Sequence, residues 1–327
     1  MSQGPGPATP PPVGASPLSA ASAANSPEND ANDVKTGLLF ALGAYGLWGF
    51  MPAYYKLTDT VAPDLVVSHR IVWSVLLVGL FLLVMRRFGE VIEILRQPKL
   101  VGFLGMSASL IALNWLVFVW AIGQGHVLDV SLGYFINPLV SILVGLVVFR
   151  EKLSPLQWAA IGLAFAGVVL QAVLAGGLPW VSLFLAFSFA GYGYMRKVIP
   201  VRATPGLFIE TVLLFPVALG YLFLGLHWGT DAFVLKQPLV LAALIGTGAV
   251  TAVPLIMFSA SARRLPMVLI GIMQYIAPSL HFIMAVFIWN EPLKPTTLMT
   301  FVIIWIALAI FSFDSWRRWK SARAVAV

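Results

Sequence analysis

The chain is dominated by long apolar stretches that short polar segments separate. A bilayer core about 30 Å thick is crossed by about 20 mostly apolar residues in a helix, and a helix satisfies its own backbone hydrogen bonds in lipid. Charged residues, prolines and turn residues divide the chain into ten such stretches. The predicted spans are Thr36–Tyr55, Leu65–Met85, Leu100–Ile122, Leu128–Phe149, Leu156–Leu174, Leu178–Met195, Gly206–Leu226, Pro238–Phe258, Met267–Trp289 and Thr296–Phe313.

The two ends of the chain differ from the apolar stretches. Residues 1–34 are rich in Pro, Ala, Ser and Gly, and such a segment buries too little apolar surface to fold alone. They also lack the basic start and apolar run of a secretory signal. We therefore predict a disordered cytoplasmic tail over residues 1–34 and a basic cytoplasmic C-tail over residues 316–327.

The composition excludes a soluble globular enzyme. Of the residues, 60% are hydrophobic and 10% are charged, against about 45–50% and about 25% in an average soluble domain. The mean hydropathy is +0.92. The absence of Cys excludes disulfide scaffolds and thiolate metal sites.

The placement of Lys and Arg predicts the orientation in the membrane. Of the 20 basic residues, all but Lys56, Arg70, Lys236 and Lys294 fall in the tails or loops on one side of the predicted spans. Basic loops stay in the cytoplasm, so both termini are expected inside. Topology therefore accounts for the net charge of +7 without nucleic-acid binding.

An internal repeat is visible at an offset of 140 residues. The residues Ile136, Pro138, Glu151, Leu153 and Pro155 recur as Ile276, Pro278, Glu291, Leu293 and Pro295. The repeat divides the spans into units 35–174 and 175–315 of five helices each. Because five is odd, the second unit must enter the membrane upside down, as in secondary transporters with a midplane substrate site. The alternative is a duplication that only enlarged a structural bundle.

Ionisable residues inside spans are costly and usually face a cavity. His69 and Arg70 lie a short way into span two, and Glu210 lies equally far into span seven. The offset aligns Arg70 with Glu210, yet inversion puts them near opposite faces, so we expect two separate features rather than a salt bridge. The alternative is that each side chain snorkels to its nearer interface.

Polar and aromatic side chains also concentrate in spans three, four and nine. Two symmetric prolines, Pro138 and Pro278, predict helix kinks beside them. We expect this cluster to line a substrate pathway with His69 and Arg70, and Glu210 or His281 to carry a coupling proton. The alternatives are packing kinks, interhelical amide hydrogen bonds and a satisfied core histidine. The predicted pathway residues are His69, Arg70, Asn114, Trp115, Tyr134, Asn137, Gln274, Tyr275 and His281.

No motif in the sequence points to catalysis. There is no metal-binding spacing, no Gly-rich phosphate loop and no paired-Asp cluster, so we predict no metal, no cofactor and no enzyme activity. Glu151 and Glu291 each precede a proline at the start of the next helix, and we interpret both as structural helix caps. The sequence shows no ATP-binding domain, so any pumping would have to draw on an ion gradient or on the gradient of the substrate itself.

Several segments resemble the drug/metabolite transporter superfamily (EamA type), and more specifically its RarD chloramphenicol-sensitive permease family. The similarity covers about residues 35–315. Departures are Ala277 where the first repeat has Asn137, and Trp-Asn-Glu at 289–291, which lacks the usual Gly before Glu. The segments that carry the resemblance are Ser68–Ser74, Asn114-Trp115, Ser131–Leu139, Phe149–Trp158 and Gln274–Pro278.

The resemblance implies an all-α integral membrane permease of ten helices in two inverted five-helix repeats, with both termini in the cytoplasm of a bacterial inner membrane. It also implies transport of small metabolites or amphipathic drugs, usually outward. With the residue pattern, it predicts a secondary-active or facilitative transporter that works by alternating access. Its expected partners are a small-molecule substrate and the lipid bilayer, with a proton as the candidate coupling ion. Rival interpretations are an intramembrane lipid-processing enzyme and a non-transporting membrane receptor.

Overall fold

The computed structural model describes residues 27–124, 126–174, 176, 180–227, 237–290 and 295–325. Within these ranges the chain is helical and contains no strand. A 3-10 turn at Lys56–Thr58 follows the first helix. The α-helices are α1 (Pro27–Tyr55), α2 (Pro63–Val84), α3 (Phe88–Leu95), α4 (Pro98–Gly123), α5 (Val127–Val147), α6 (Pro155–Leu174), α7 (Trp180–Val198), α8 (Ala203–His227), α9 (Pro238–Ala262), α10 (Met267–Gln274), α11 (Ile276–Phe287) and α12 (Pro295–Val325).

The described residues contain nine helical segments that are long and apolar enough to cross a membrane. One of them, Met267–Phe287, combines α10 and α11. Helix α7 covers most of the predicted sixth span but is not among the nine. Its sequence includes Arg196 and Lys197 in the last turn, which lower its apolar character.

Both ends of the helical part extend further than the sequence predicts. Helix α1 begins at Pro27, so residues 27–34 belong to a helix and not to the predicted tail. Proline suits the first position of a helix, because its φ is already helical and its missing N–H has no partner there. At the other end, α12 runs to Val325 and takes in most of the predicted C-tail.

A short helix, α3, occupies the segment between the second and third predicted spans, where the sequence analysis expects a loop. Its Glu90 carboxylate accepts hydrogen bonds from Arg87 Nε at 2.7 Å and from Arg202 Nη1 at 3.2 Å. The bond from Arg87 holds the pKa of Glu90 below its usual range. Glu90 therefore fixes α3 to the segment before α8.

The ninth predicted span is interrupted, whereas the fourth is continuous. Helix α10 ends at Gln274 and α11 begins at Ile276, about one turn before Pro278. A proline inside a helix lacks the N–H that would bond to the carbonyl four residues earlier, which weakens the helix at that point. Pro138 lies inside the uninterrupted α5, so the two repeat-related prolines have different local backbones.

Helix packing follows a regular pattern. Three pairs, α2 with α8, α5 with α10 and α6 with α12, join helices that the 140-residue offset relates to each other. The other main pairs come in matched sets: α5 with α7 and α1 with α11, α4 with α7 and α1 with α9, and α4 with α8 and α2 with α9. Within each set, replacing every helix by its equivalent at the 140-residue offset converts one helix pair into the other.

Helices α5 and α10 approach each other closely where their glycines face the partner backbone. A Cβ atom on Gly271 would lie 2.7 Å from the Pro138 carbonyl oxygen, and one on Gly145 would lie 2.9 Å from the Val268 nitrogen. Glycine lets two helices pack at this distance because it has no side chain to separate them.

Candidate functional site

A partly buried cation lies between aromatic rings of neighbouring helices. The Arg70 guanidinium on α2 is 4.7 Å from the centroid of the Trp115 ring and 5.7 Å from that of Tyr55. Its Nε donates a hydrogen bond to Thr251 Oγ1 at 2.9 Å. Among the described residues, no carboxylate lies within 4.0 Å of Arg70. Arg70 is thus a held cation whose charge is not neutralised by a neighbouring side chain.

Two of these neighbours were not among the residues predicted from the sequence. Thr251 is 1% exposed and lies on α9. Tyr55 ends α1, and its hydroxyl is buried without a hydrogen-bond partner among the described residues. A tyrosine or threonine in an apolar helix gives no sequence signal that it faces an arginine from another helix.

Tyr134 and His281 form an edge-to-face ring pair across α5 and α11. Their ring centroids are 6.4 Å apart at 87°. His281 Nε2 lies 3.0 Å from the Trp48 carbonyl oxygen, which requires the proton on that nitrogen. Tyr134 is 45% exposed. Of the predicted set, the structure therefore places Arg70 against Trp115 and Tyr134 against His281.

The predicted amide residues have different surroundings. Asn114 Nδ2 donates hydrogen bonds to the Leu185 carbonyl and to Ser188 Oγ, both at 2.9 Å, and so links α4 to α7. Asn137 Oδ1 is buried and has no hydrogen-bond partner among the described residues. Asn114 thus makes the interhelical bonds of the alternative interpretation, whereas Asn137 keeps a free acceptor.

Gln274 and Tyr275 lie in packed surroundings. Gln274 is 6% exposed, and its Nε2 donates to Ser141 Oγ at 2.8 Å. Tyr275 has no exposed surface, and its hydroxyl donates to the Phe135 carbonyl at 3.3 Å. Both side chains are therefore enclosed by neighbouring residues, whereas Tyr134 is 45% exposed. His69 lies one turn from Trp73 and accepts a hydrogen bond from its indole Nε1 at 3.3 Å.

The 140-residue offset relates two side-chain pairs that lie across α5 and the α10–α11 segment. It aligns Tyr134 with Gln274, and Ser141 with His281. Gln274 and Ser141 are buried and hydrogen-bonded, whereas Tyr134 and His281 are a ring pair in which Tyr134 is half exposed. The two equivalent pairs therefore differ in burial: one is enclosed and the other is partly exposed.

Glu210 belongs to a buried ion pair. Arg196 Nη1 donates to Glu210 Oε1 at 3.1 Å, and each side chain is 1% exposed. Tyr192 donates to the other carboxylate oxygen at 3.5 Å, and Arg196 Nε donates to Ser259 Oγ at 2.7 Å. Arg196 counts as a loop residue in the sequence analysis, but it lies in the last turn of α7. Its partner Glu210 therefore does not snorkel to the interface.

Glu151 caps a helix of the other half of the chain. Its carboxylate oxygens accept the backbone N–H groups of Met267 at 2.7 Å and Val268 at 2.9 Å. The sequence predicts a cap on the following helix, α6, but the carboxylate instead binds the N-terminus of α10, where free N–H groups favour a negative charge. The equivalent Glu291 lies outside the described residues.

Comparisons with known proteins agree with this architecture. Residues 35–173 match the EamA-like transporter family. A protein named RarD from Streptomyces exfoliatus is 42% identical over 90% of this chain and 93% of its own. An uncharacterized transporter of Pseudomonas aeruginosa is 41% identical over 87% of this chain and 96% of its own. A solved structure, titled only as the crystal structure of a protein, shares the fold with a TM-score of 0.62 at 16% identity, over 85% of this chain and 97% of that chain.

Proposed function

Because this chain belongs to the RarD family of EamA-like transporters, we propose that it moves a small amphipathic metabolite or drug with an anionic group out of the cell by alternating access. The observation that carries the substrate class is Arg70, a cation that lies 4.7 Å from the Trp115 ring centroid and has no carboxylate partner among the described residues. A cation prepared in this way attracts an anion, and the rings around it suit an apolar or aromatic body.

The proposal includes ten membrane helices in two inverted repeats. The matched helix pairs support it, because exchanging the halves at an offset of 140 residues maps the packing pattern onto itself. Two left-handed backbone positions, Arg150 and Asn290, are also separated by that offset and share a φ of 53°. Helix α7 is the tenth span in this arrangement, and its buried Arg196–Glu210 pair offsets the charge that lowers its apolar character.

Both termini lie in the cytoplasm in this proposal, since the basic loops favour that side. At the proposed cytoplasmic side, the ends of neighbouring helices are joined by hydrogen bonds. Glu151 binds the N-terminus of α10, and Lys197 donates to the Ala262 and Leu265 carbonyls. On the opposite side, Tyr134 is half exposed. These contacts support a conformation that is closed toward the cytoplasm and open outward.

The substrate pathway in this proposal starts from the open half of the repeat. Arg70, Trp115, Tyr134 and His281 contact the substrate directly, and Asn137 offers its free acceptor. When the transporter changes from the outward-open to the inward-open conformation, the region around Gln274 opens and the region around Tyr134 closes. His281 is the favoured proton carrier, because it touches Tyr134, whereas Glu210 is held by Arg196.

The experiment has two stages. Metabolites in the medium are compared between overexpressing and deletion strains, and the enriched compounds are then tested for flux in proteoliposomes. Arg70→Ala and Asn137→Ala are both expected to lower the transport rate. For Arg70→Ala the loss should be about tenfold or more, because a charge-assisted hydrogen bond to the substrate is removed. Arg264→Ala is the matched control, because its guanidinium also lies over a ring, that of Phe40 at 5.6 Å. Wild-type rates in both site variants would refute the site, and no protein-dependent flux would refute the function.

A further inference from the structure

The Tyr55 hydroxyl is a buried donor without an acceptor. It has no hydrogen-bond partner among the described residues, and leaving such a group unsatisfied costs about 1–3 kcal/mol. Its neighbour in sequence, Tyr54, differs, because its hydroxyl donates to the Ala243 carbonyl. A polar group that stays unpaired in a buried place beside a binding residue is suited to a ligand.

Arg70 lies over the ring that carries this hydroxyl and has no carboxylate partner among the described residues. The guanidinium is 5.7 Å from the Tyr55 ring, and its Nε is already engaged by Thr251. The two Nη groups are therefore the donors that remain for a ligand. Guanidinium and phenol both donate, so together they favour an anionic acceptor.

The second half of the chain shows how a guanidinium and a phenol can bind one carboxylate. There the Glu210 carboxylate accepts from a guanidinium, Arg196, and from a phenol, Tyr192. The 140-residue offset aligns Glu210 with Arg70, and Arg196 with Lys56. The first half thus has two cations where the second half has a cation and a carboxylate.

We propose that Tyr55 is a specificity-determining residue whose hydroxyl donates a hydrogen bond to a carboxylate of the substrate, with Arg70 as the second donor. The substrate carboxylate takes at Arg70 and Tyr55 the role that Glu210 has at Arg196 and Tyr192. This inference rests on the proposed function and narrows the anionic group to a planar carboxylate, which suits the two Nη donors.

The test measures binding of benzoate, with benzamide as its neutral counterpart of equal shape, to the purified full-length protein in nanodiscs. Tyr55→Phe is expected to weaken benzoate binding about tenfold, the effect of losing one hydrogen bond to a charged group, and to weaken benzamide binding less, because its carbonyl is a neutral acceptor. Tyr54→Phe is the matched control and should bind benzoate as the wild type does. Arg70→Met should weaken benzoate binding at least as much as Tyr55→Phe.

A second variant guards against a folding defect. Para-aminophenylalanine at position 55 restores an N–H donor and should restore benzoate binding. The assignment is overturned if Tyr55→Phe binds benzoate like the wild type, if it loses benzoate and benzamide equally, or if the wild type binds no benzoate. A different result would refute the proposed transport function: benzoate binds as expected, but no protein-dependent flux of any tested compound is seen in proteoliposomes.

Discussion

The Arg196 guanidinium and the Glu210 carboxylate form an ion pair at 3.1 Å in which each side chain is only 1% exposed. The pair joins α7 to α8, and the Arg196 bond to Ser259 extends it to α9. Two charges buried together stabilise little in themselves, because desolvation offsets their attraction. Removing one partner, however, leaves the other charge buried and alone.

A double-mutant cycle tests this dependence. Glu210→Leu alone is expected to destabilise the fold by about 3–5 kcal/mol, the usual cost of an uncompensated buried charge. The double variant Arg196→Met with Glu210→Leu should recover most of that loss. The stability of each variant is measured by thermal unfolding in nanodiscs. Arg196→Met alone should also destabilise the fold, and if the losses of the two single variants simply add in the double variant, the side chains do not act as a pair.

The cap on α10 provides a second prediction. Glu151→Gln keeps the shape but removes the charge and one of the two acceptor oxygens, which bind Met267 and Val268. We expect a loss of about 1–2 kcal/mol in stability, seen as a lower unfolding temperature. Glu93→Gln is the control, because Glu93 lies exposed on α3. Equal unfolding temperatures for the two variants would contradict the cap.

Thr251 is expected to position Arg70. Thr251→Val keeps the volume but leaves Arg70 Nε without its acceptor, so the guanidinium loses its fixed orientation. We expect an increase of about tenfold in the substrate KM, the effect of about 1.4 kcal/mol, with a smaller change in kcat. Thr211→Val is a control, because the Thr211 hydroxyl bonds to carbonyls of its own helix. A similar change in both variants would argue against a positioning role.

The sequence predicts the helices well because each must be apolar and about as long as the bilayer is thick. The predicted span Leu156–Leu174 and the observed Pro155–Leu174 differ by one residue at one end. The ends at Pro27 and Val325 are missed, since polar residues outside the apolar core also form helix and hydropathy does not register them.

The sequence identifies several residues of the candidate site, but it does not show which residues contact each other. Arg70 stands out because an arginine in an apolar span is costly. Its neighbours Tyr55 and Thr251 come from α1 and α9, and sequence separation hides which helices meet. Glu151 likewise caps a helix more than 100 residues away, so only packing reveals its partner.

The glycine contact between α5 and α10 yields a fourth prediction. Gly271→Ala would place a Cβ 2.7 Å from the Pro138 carbonyl oxygen, so the two helices must move apart and stability should fall by about 1–3 kcal/mol. Gly102→Ala, where nothing lies within 4 Å, should instead stabilise α4 slightly, by about 0.5–1 kcal/mol. Unfolding temperatures that shift in the same direction would contradict the close approach.

The equivalent positions Tyr134 and Gln274 offer a direct test of the two-sided exchange. The native chain has no Cys, so a single introduced cysteine reports on one place. Because Tyr134 is 45% exposed and Gln274 is 6% exposed, Tyr134→Cys should react with a membrane-impermeant maleimide added outside intact cells, and Gln274→Cys should not. In inside-out vesicles, Gln274→Cys should become reactive when the transporter adopts its inward-open conformation. Ser107→Cys, buried at 0% exposure on α4, is the unreactive control. If Gln274→Cys reacts from outside, or Tyr134→Cys reacts only from inside, the proposed orientation of the two halves is wrong.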